Sequence, residues 1–483
     1  MAVVFSACNT SSPSRDNIIN NITETGPVNA VYRTAPFSRG VNFSLWFDAD
    51  EAEKINFTHY LEQDFINLKS LGADVIRLPV RFHSMTSGAP DYTLDPLLLM
   101  LLDMALDWAE KHELYLIINN APANLTSDDM DNILLPVWAQ IAQRYRNRSE
   151  FIIYEILNEP HDISDQKWGE MQGKAIETIR RYDQRHWIVA GGADYNSVSK
   201  LSSIPVYSDQ KLLYTFHFYD PFLFTHQGAS WTPPLEYLSG VPFPADRRRM
   251  PNIDRRLRGT WVETALRTTY FQDAQPSKLL ETLDKAVAFS RERNVPVYCG
   301  EYGVFIPVSP PQDRVIWYEF ITNALDRRKI PRTSWDYFGG FGIFNSDGRR
   351  DFNTELNVDI VRALGFNPPA QITRVTEPLR SGFNIFDDFP NVELFSSFWG
   401  DNDVNLSFYE TNTAEGTFAI RWENPGRYNS FFFAFPRNGD FSELAASGYC
   451  LEFFARTDKP VQFDIRFQNI EDASTIPWRM SYM

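Results

Sequence analysis

Two glutamates stand where chemistry can be expected. Glu159 lies in Tyr154-Glu155-Ile156-Leu157-Asn158-Glu159-Pro160 and Glu301 in Val297-Tyr298-Cys299-Gly300-Glu301-Tyr302-Gly303, each at the end of an apolar run. Two carboxyl groups held about 5–5.5 Å apart can divide a glycosyl transfer between them, one attacking the anomeric carbon and the other protonating the departing oxygen. The two must then differ at neutral pH. Glu301 has to be ionised, whereas Glu159 has to keep a proton, which requires a pKa raised by partial burial and by the charge of its neighbour. Arg77 in Ile76-Arg77-Leu78-Pro79, His217 and Tyr219 in Phe216-His217-Phe218-Tyr219, and Trp335 in Ser334-Trp335-Asp336 also close apolar runs. Alone, Asn158-Glu159-Pro160 reads equally well as a strand-to-helix turn with a capping glutamate.

What must position these side chains is an alternation of strand and helix. Strands are expected at 40–43, 74–78, 114–118, 151–157, 187–190, 212–218, 295–299 and 333–337. Amphipathic helices are expected between them, at 57–71, 96–111, 134–146, 169–182, 277–293, 313–328 and 356–364. The strand runs are apolar on both faces, as in a parallel sheet covered by helices, and eight such units over about 330 residues predict a (β/α)₈ barrel. In a barrel the chemistry sits where strands end, so Glu159 after strand four and Glu301 after strand seven face each other across the mouth. The long interruption from Pro221 to Pro276 is read as a functional or disordered loop. Its arginines, Arg247, Arg248, Arg249, Arg255, Arg256 and Arg258, are read as a solvated face.

After Pro368-Pro369 the pattern turns to period two, with turns at Asn424-Pro425-Gly426 and Asn438-Gly439 and no need for a helix. This predicts an antiparallel β-sandwich. The expected division is a signal and linker over 1–31, the barrel over 32–368, a linker over 369–382 and the sandwich over 383–483. The sequence ends Trp478-Arg479-Met480-Ser481-Tyr482-Met483, in what reads as the middle of a strand, so a continuation is expected.

The 483 residues carry 46 Lys+Arg against 62 Asp+Glu, a formal charge of −16. That balance argues against a nucleic-acid partner, which needs a positive surface to displace phosphate counterions. Aromatic residues make up 15% of the chain, enough to stack flat ligands or fill a large core. Three separated cysteines, Cys8, Cys299 and Cys450, give no disulfide framework. The start, Met1-Ala2-Val3-Val4-Phe5-Ser6-Ala7-Cys8, looks like the tail of a bacterial lipoprotein signal without its basic region. A secreted or lipid-anchored envelope protein, anchored at Cys8, is therefore one reading and an incidental cysteine the other. No apolar stretch of about 18 residues elsewhere would span a membrane.

On Asn158-Glu159, Glu301, Arg77, His217, Tyr219 and Trp335 in strand order, the chain resembles glycoside hydrolase family 5, the cellulase-type (β/α)₈ enzymes, over about residues 37–366. The resemblance implies Glu159 as acid/base, Glu301 as nucleophile, and Arg77 as support for the nucleophile. It also implies Asn158 on the sugar 2-hydroxyl, His217 and Tyr219 as the strand-six pair, and Trp335 beneath the sugar. One position departs: the family places a histidine just after strand three, where this chain reads Ile118-Asn119-Asn120-Ala121-Pro122. Ala121 takes that position, and Asn120 is the candidate to supply the missing hydrogen bond.

Trp46, Trp231 and Trp261 are candidate sugar platforms, with core packing as the competing reading of each. The terminal segment looks like a jelly-roll carbohydrate-binding module, with Trp399, Trp422, Tyr428 and Trp478 as candidate platforms and Asp387 or Asp388 as candidate ligands of a structural calcium. No His/Asp/Glu spacing compels a catalytic metal, so no cofactor is expected. The resemblance therefore implies a retaining, endo-acting β-1,4-glucanase working as a monomer on β-glucan polysaccharide or oligosaccharide. A mannanase or β-1,3-glucanase is the alternative within the family, and a noncatalytic glycan-binding surface protein the alternative outside it.

Overall fold

The computed structural model describes residues 28–31, 33–122, 130–345, 351–373, 378–391, 394–399, 405–424, 426, 429–434, 440–465 and 478–482. Cys8, Tyr428 and the side chains of Trp399 and Trp478 lie outside what is described. The chain divides into two compact units, one running to Ile55 and over Glu62–Gln371, the other comprising Asn56–Leu61 and Ile372–Met483.

Eight parallel strands close the first unit into a barrel: β1 Arg39–Asn42, β2 Val75–Val80, β3 Tyr115–Asn120, β4 Ile152–Glu155, β5 Trp187–Gly191, β6 Leu212–Phe218, β7 Val297–Tyr302 and β8 Arg332–Ser334, with β8 pairing back onto β1. Every residue of β2, β4, β6 and β7 is buried, which is why these runs read as largely apolar on both faces. Helices start where local chemistry allows. Asp95 accepts the Leu97 amide ahead of Pro96 at the first turn of Pro96–Lys111, and Ser164 accepts the Lys167 amide at the head of Asp165–Tyr182. Asn294, left-handed at φ 56°, ends Pro276–Arg293.

Period-two alternation builds the barrel interior in layers. Val75, Ile117, Ile153, Val189, Leu213 and Tyr298 form an apolar floor, closed by Ala35 and Phe37 from the segment before β1, with the Phe37 ring edge-on to Tyr298 at 5.5 Å. One alternation further along, the same strands present Arg77, Asn119, Glu155 and Thr215, all buried. Apolar packing fixes the closure of the barrel, and the polar layer above it carries the site.

Three expectations are corrected. Residues 57–71 do not form one helix: Phe57–His59 is a short 3₁₀ turn, the helix runs Glu62–Ser70, and Asn56–Leu61 belongs to the second unit. There Tyr409 Oη accepts the Phe57 amide and the rings of Phe57 and Phe389 lie 5.3 Å apart. The Pro221–Pro276 interruption is ordered, with Phe222–Thr225, Leu235–Tyr237, Arg255–Leu257, Trp261–Arg267 and Tyr270–Asp273 all helical turns. The terminal unit contains a helix, Ser442–Ala446, beside its antiparallel strands.

Those described strands pair two by two: Phe386–Asp387 with Phe389–Pro390, Phe395–Trp399 with Ser430–Ala434, Asn405–Glu410 with Ala419–Glu423, and Val461–Ile465 with Trp478–Tyr482. Residues 369–371 are no free linker, since Gln371 accepts the Leu356 amide and donates to Phe352 O. Asp388 is held by hydrogen bonds. Its Oδ1 accepts the Thr417 and Phe418 amides, and Asp387 accepts from Asn384.

Candidate active site

The polar layer is organised by Arg77, which is wholly buried. Its Nε and Nη2 grip Glu155 at 2.7 and 2.8 Å, its Nη1 donates to Asn42 Oδ1 at 2.9 Å and to Glu301 Oε1 at 2.7 Å, and its Nη2 also reaches Asn158 Oδ1 at 2.7 Å. Burial works against the charge of Arg77, but Glu155 and then Glu301 outweigh it and hold the guanidinium protonated. Tyr298, from the floor, donates to Glu155 Oε2 at 2.9 Å. Asn42 is itself pinned, Nδ2 donating to Gly300 O and Ser334 O at 3.1 Å each.

Above this layer the two glutamates meet. A carboxylate oxygen of Glu159, one of Glu301 and a ring nitrogen of His217 all lie within 4.8 Å of one another. Glu301 receives Arg77 on Oε1 and the Tyr219 hydroxyl on Oε2 at 2.8 Å. His217 Nδ1 sits 2.6 Å from Glu159 Oε1 and 3.6 Å from Glu301 Oε2. Glu159 stands just past β4 with its backbone left-handed at φ 45°, a strained turn for a residue with a Cβ, and Asn158 N is held by Asn120 O at 2.7 Å.

The environments push the carboxyls unequally. Glu159 keeps 27% of its side chain open to the cleft, yet the surrounding wall removes enough water to push its pKa up to about 7, helped by Glu155 and opposed by Arg77 and His161. Burial raises Glu301, but Arg77 and the Tyr219 hydrogen bond pull the other way. Glu301 carries both the Arg77 cation and the Tyr219 hydroxyl, whereas among the described residues Glu159 has the single neutral contact of His217 Nδ1, so Glu301 is the better-stabilised anion of the two. His217 is pushed down to about 4 by burial and is neutral at pH 7. A neutral histidine between the two carboxyls leaves one proton for Glu159 and one charge for Glu301, the division general acid and nucleophile require.

The other sequence candidates divide. Trp335 is half-buried just past β8. Trp231 is 57% exposed in the β6–β7 insertion, edge-on to Phe305 at 4.9 Å and near Phe341 and His226. Trp261 also stays exposed. Trp46 is corrected: it is 1% exposed, stacked on Trp108 at 6.2 Å and edge-on to Phe47, and is core. Asn120 is corrected too, because it is fully buried with Nδ2 turned to Ile156 O, on the opposite face of β3 from Asn119. It cannot replace a histidine at the cleft.

Sequence reasoning missed Asn42, Glu155 and Asn196, and an aromatic pair at the rim: His161 stacks on the half-exposed Tyr195 at 4.6 Å. Glu155 carried a signal, an ionisable residue two positions after inward-facing Ile153. Among the described residues the one grouping with metal-ligating side chains is Glu159, His217 and Glu301 themselves. Within this grouping Glu301 is already paired to Arg77.

Residues 39–339 match the model of the cellulase family, glycosyl hydrolase family 5. The chain belongs to that family and is a glycoside hydrolase. It is 27% identical over 338 residues to Endoglucanase C of Acetivibrio thermocellus, covering 66% of this chain and 96% of that one. It is 26% identical over 355 residues to Endoglucanase 3 of Fibrobacter succinogenes, covering 68% and 52%. Among solved structures, endoglucanase Cel5A from Thermotoga maritima superposes with TM-score 0.57 at 24% identity, over 68% of this chain and 96% of that one, a likeness of fold.

Proposed function

We propose that this protein is a retaining endo-β-glucanase, acting on β-1,4-linked glucan by double displacement. The observation that carries the reading is that an oxygen of Glu159 and one of Glu301 lie within 4.8 Å of each other, which supports the short carboxyl separation of retaining enzymes. Glu301 attacks the anomeric carbon while Glu159 gives its proton to the leaving oxygen. Once the ester forms, the charge on Glu301 is gone, the pKa of Glu159 falls, and Glu159 takes a proton from the water that releases the sugar. Arg77 holds Asn158 by Oδ1, leaving Nδ2 to donate to the sugar 2-hydroxyl, a bond that strengthens as the oxocarbenium ion develops.

Endo action and glucan preference rest on the relatives named endoglucanases. The chemistry needs no cofactor, and we assign none. A β-mannan or β-1,3-glucan substrate is the second reading. Thermotoga maritima Cel5A, similar in fold, has been solved with mannotriose substrate as well as with cellobiose. Trp231 and the Tyr195–His161 pair supply aromatic faces for flanking sugars. We also propose export, with a lipid anchor at Cys8, action as a monomer, and a carbohydrate-binding role for the terminal β unit. No helix among the described residues is long and apolar enough to cross a membrane.

The deciding experiment is a product screen on carboxymethylcellulose, barley β-glucan, xyloglucan, glucomannan and laminarin, with the anomer of the first product followed by NMR. Release of β-anomers from glucans fits the proposal. First-formed α-anomers would refute retention, and activity confined to glucomannan or laminarin would move the substrate.

A further inference from the structure

His217 faces both carboxyls through Nδ1, so which of its nitrogens carries the proton decides what Glu159 can do. If Nδ1–H is present it donates to Glu159 Oε1, and the acid proton must sit on the other oxygen. If instead Nδ1 holds a lone pair, it accepts that proton from Glu159 and draws it away from the glycosidic bond. Electrostatics on this side favour Nδ1–H, because a lone pair there would face the ionised Glu301 at 3.6 Å.

The other side of the ring agrees. Among the described residues, the polar atom that reaches His217 Nε2 is Nδ2 of Asn196, at 3.5 Å. Asn196 is fully buried, and its Oδ1 makes no hydrogen bond. The amide is nonetheless not free to turn over. A Cβ built on Gly191 would lie 2.2 Å from Asn196 Oδ1, so a Cα–H bond of Gly191 points at that oxygen, where an NH₂ group carrying its own hydrogens would be crowded.

The backbone holds the amide in place as well. Asp194, Tyr195 and Asn196 are left-handed in succession, at φ 60°, 58° and 54°, an arrangement that persists only where surroundings fix it. Here they do. Tyr195 N donates to Pro160 O beside Glu159, and Ser197 bridges to His217 itself.

We propose that Asn196 is a positioning residue that fixes the Nδ1–H tautomer of His217 and so keeps the catalytic proton of Glu159 on the oxygen that serves the leaving group. The proposal rests on Glu159 being the acid.

The test is leaving-group dependence of kcat/KM, which reports the glycosylation step, in Asn196→Ala, Asn196→Asp and Glu159→Ala, with cellotetraose and 2,4-dinitrophenyl β-cellobioside. The dinitrophenolate departs without protonation and the sugar alkoxide does not. Asn196→Ala should lose about tenfold on cellotetraose and no more than about twofold on the aryl substrate, a fraction of the 10²–10⁴ that general acid catalysis supplies. Asn196→Asp, which can only accept from Nε2–H, should lose more with the same selectivity.

Equal losses on both substrates, or none, overturn the proposal. If Glu159→Ala itself shows no leaving-group dependence, it is the acid assignment that fails. Long-range ¹⁵N–¹H NMR of the histidines, with His217 identified by substitution, reads the tautomer even where a variant does not fold. A proton on Nδ1 in the unsubstituted protein supports the proposal, and one on Nε2 overturns it.

Discussion

Arg77 and Glu155 form a two-pronged ion pair, at 2.7 and 2.8 Å, with side-chain exposures of 0% and 1%. The pair lies beneath the reacting groups, and the same guanidinium reaches up to Glu301. Such a pair costs desolvation on both sides, and what it secures here is position, since one planar cation fixes Glu155, Asn42, Asn158 and Glu301 together.

Removing one partner should therefore be far worse than removing both. Arg77→Met should destabilise by about 3–5 kcal/mol, because Glu155 is left as an unpaired buried charge. Arg77→Met combined with Glu155→Met should recover a large part of that loss while activity stays low. Urea unfolding of the two variants compares them, and equal destabilisation would contradict the account.

On the proposed roles, truncating Glu301 leaves a hole on the face of the sugar that its carboxylate would attack. Glu301→Ala should lose at least about 10⁴-fold in kcat, and azide entering the hole should rescue activated aryl substrates to give the α-glycosyl azide. With Glu159→Ala, azide should intercept the ester and give the β-azide. The product anomers, read by NMR, assign the two roles, and the opposite pairing would exchange them.

Tyr219 donates to Glu301 Oε2, which lowers the pKa of that carboxyl. Tyr219→Phe removes the donor, so Glu301 should protonate at higher pH and the acidic limb of kcat/KM should move up by about one pH unit, the equivalent of one hydrogen bond to a charge. The alkaline limb, set near 7 by Glu159, should stay. A pH profile with a stationary acidic limb would deny Tyr219 this role.

Burial of Glu159 has a cost in stability that depends on pH. Its pKa is raised in the folded state, from an ordinary 4.5 to about 7, so the unfolded chain ionises first and the folded state loses stability as pH rises from about 4.5 to 7. Glu159→Gln abolishes that titration and should stabilise the protein by up to about 3 kcal/mol at pH 8, with the gain vanishing below pH 4.5. Thermal unfolding across pH 4–8 is the measurement, and a pH-independent difference would count against the raised pKa.

Trp46 and Trp231 have the same side chain in opposite settings. Trp46→Ala should cost about 3–5 kcal/mol as a core truncation. Trp231→Ala should leave unfolding almost unchanged and raise KM for long oligosaccharides by about three- to tenfold with kcat preserved, the signature of lost uniform binding. Parallel denaturation and kinetics separate the two.

Much of this was legible in the residues. Most of the strands and the helices at 96–111 and 277–293 were readable because burial on both faces makes the strand runs largely apolar, and Glu159 and Glu301 stood out as charges ending such runs. The polar interior was harder to read. Glu155, Asn42 and Asn196 are defined by partners from distant strands, and no periodicity announces them. Trp46 was misjudged because the sequence does not say which aromatics the barrel wall encloses, and Asn120 because neighbouring positions on β3 face opposite ways. The helix read from Phe57 began late because its first turn packs against residues some 350 positions onward, Tyr409 among them.

The stretch ahead of the first strand acts as a stopper. Val31 N bonds Arg328 O, Arg33 bridges Pro296, and Phe37 seals the underside of the ring. Anyone trimming this enzyme to a minimal version by the limits of the family match, which begins at residue 39, would pull the cork from the vessel. Water admitted from below would then wet Tyr298, the last ring between the open base and the Arg77–Glu155 pair.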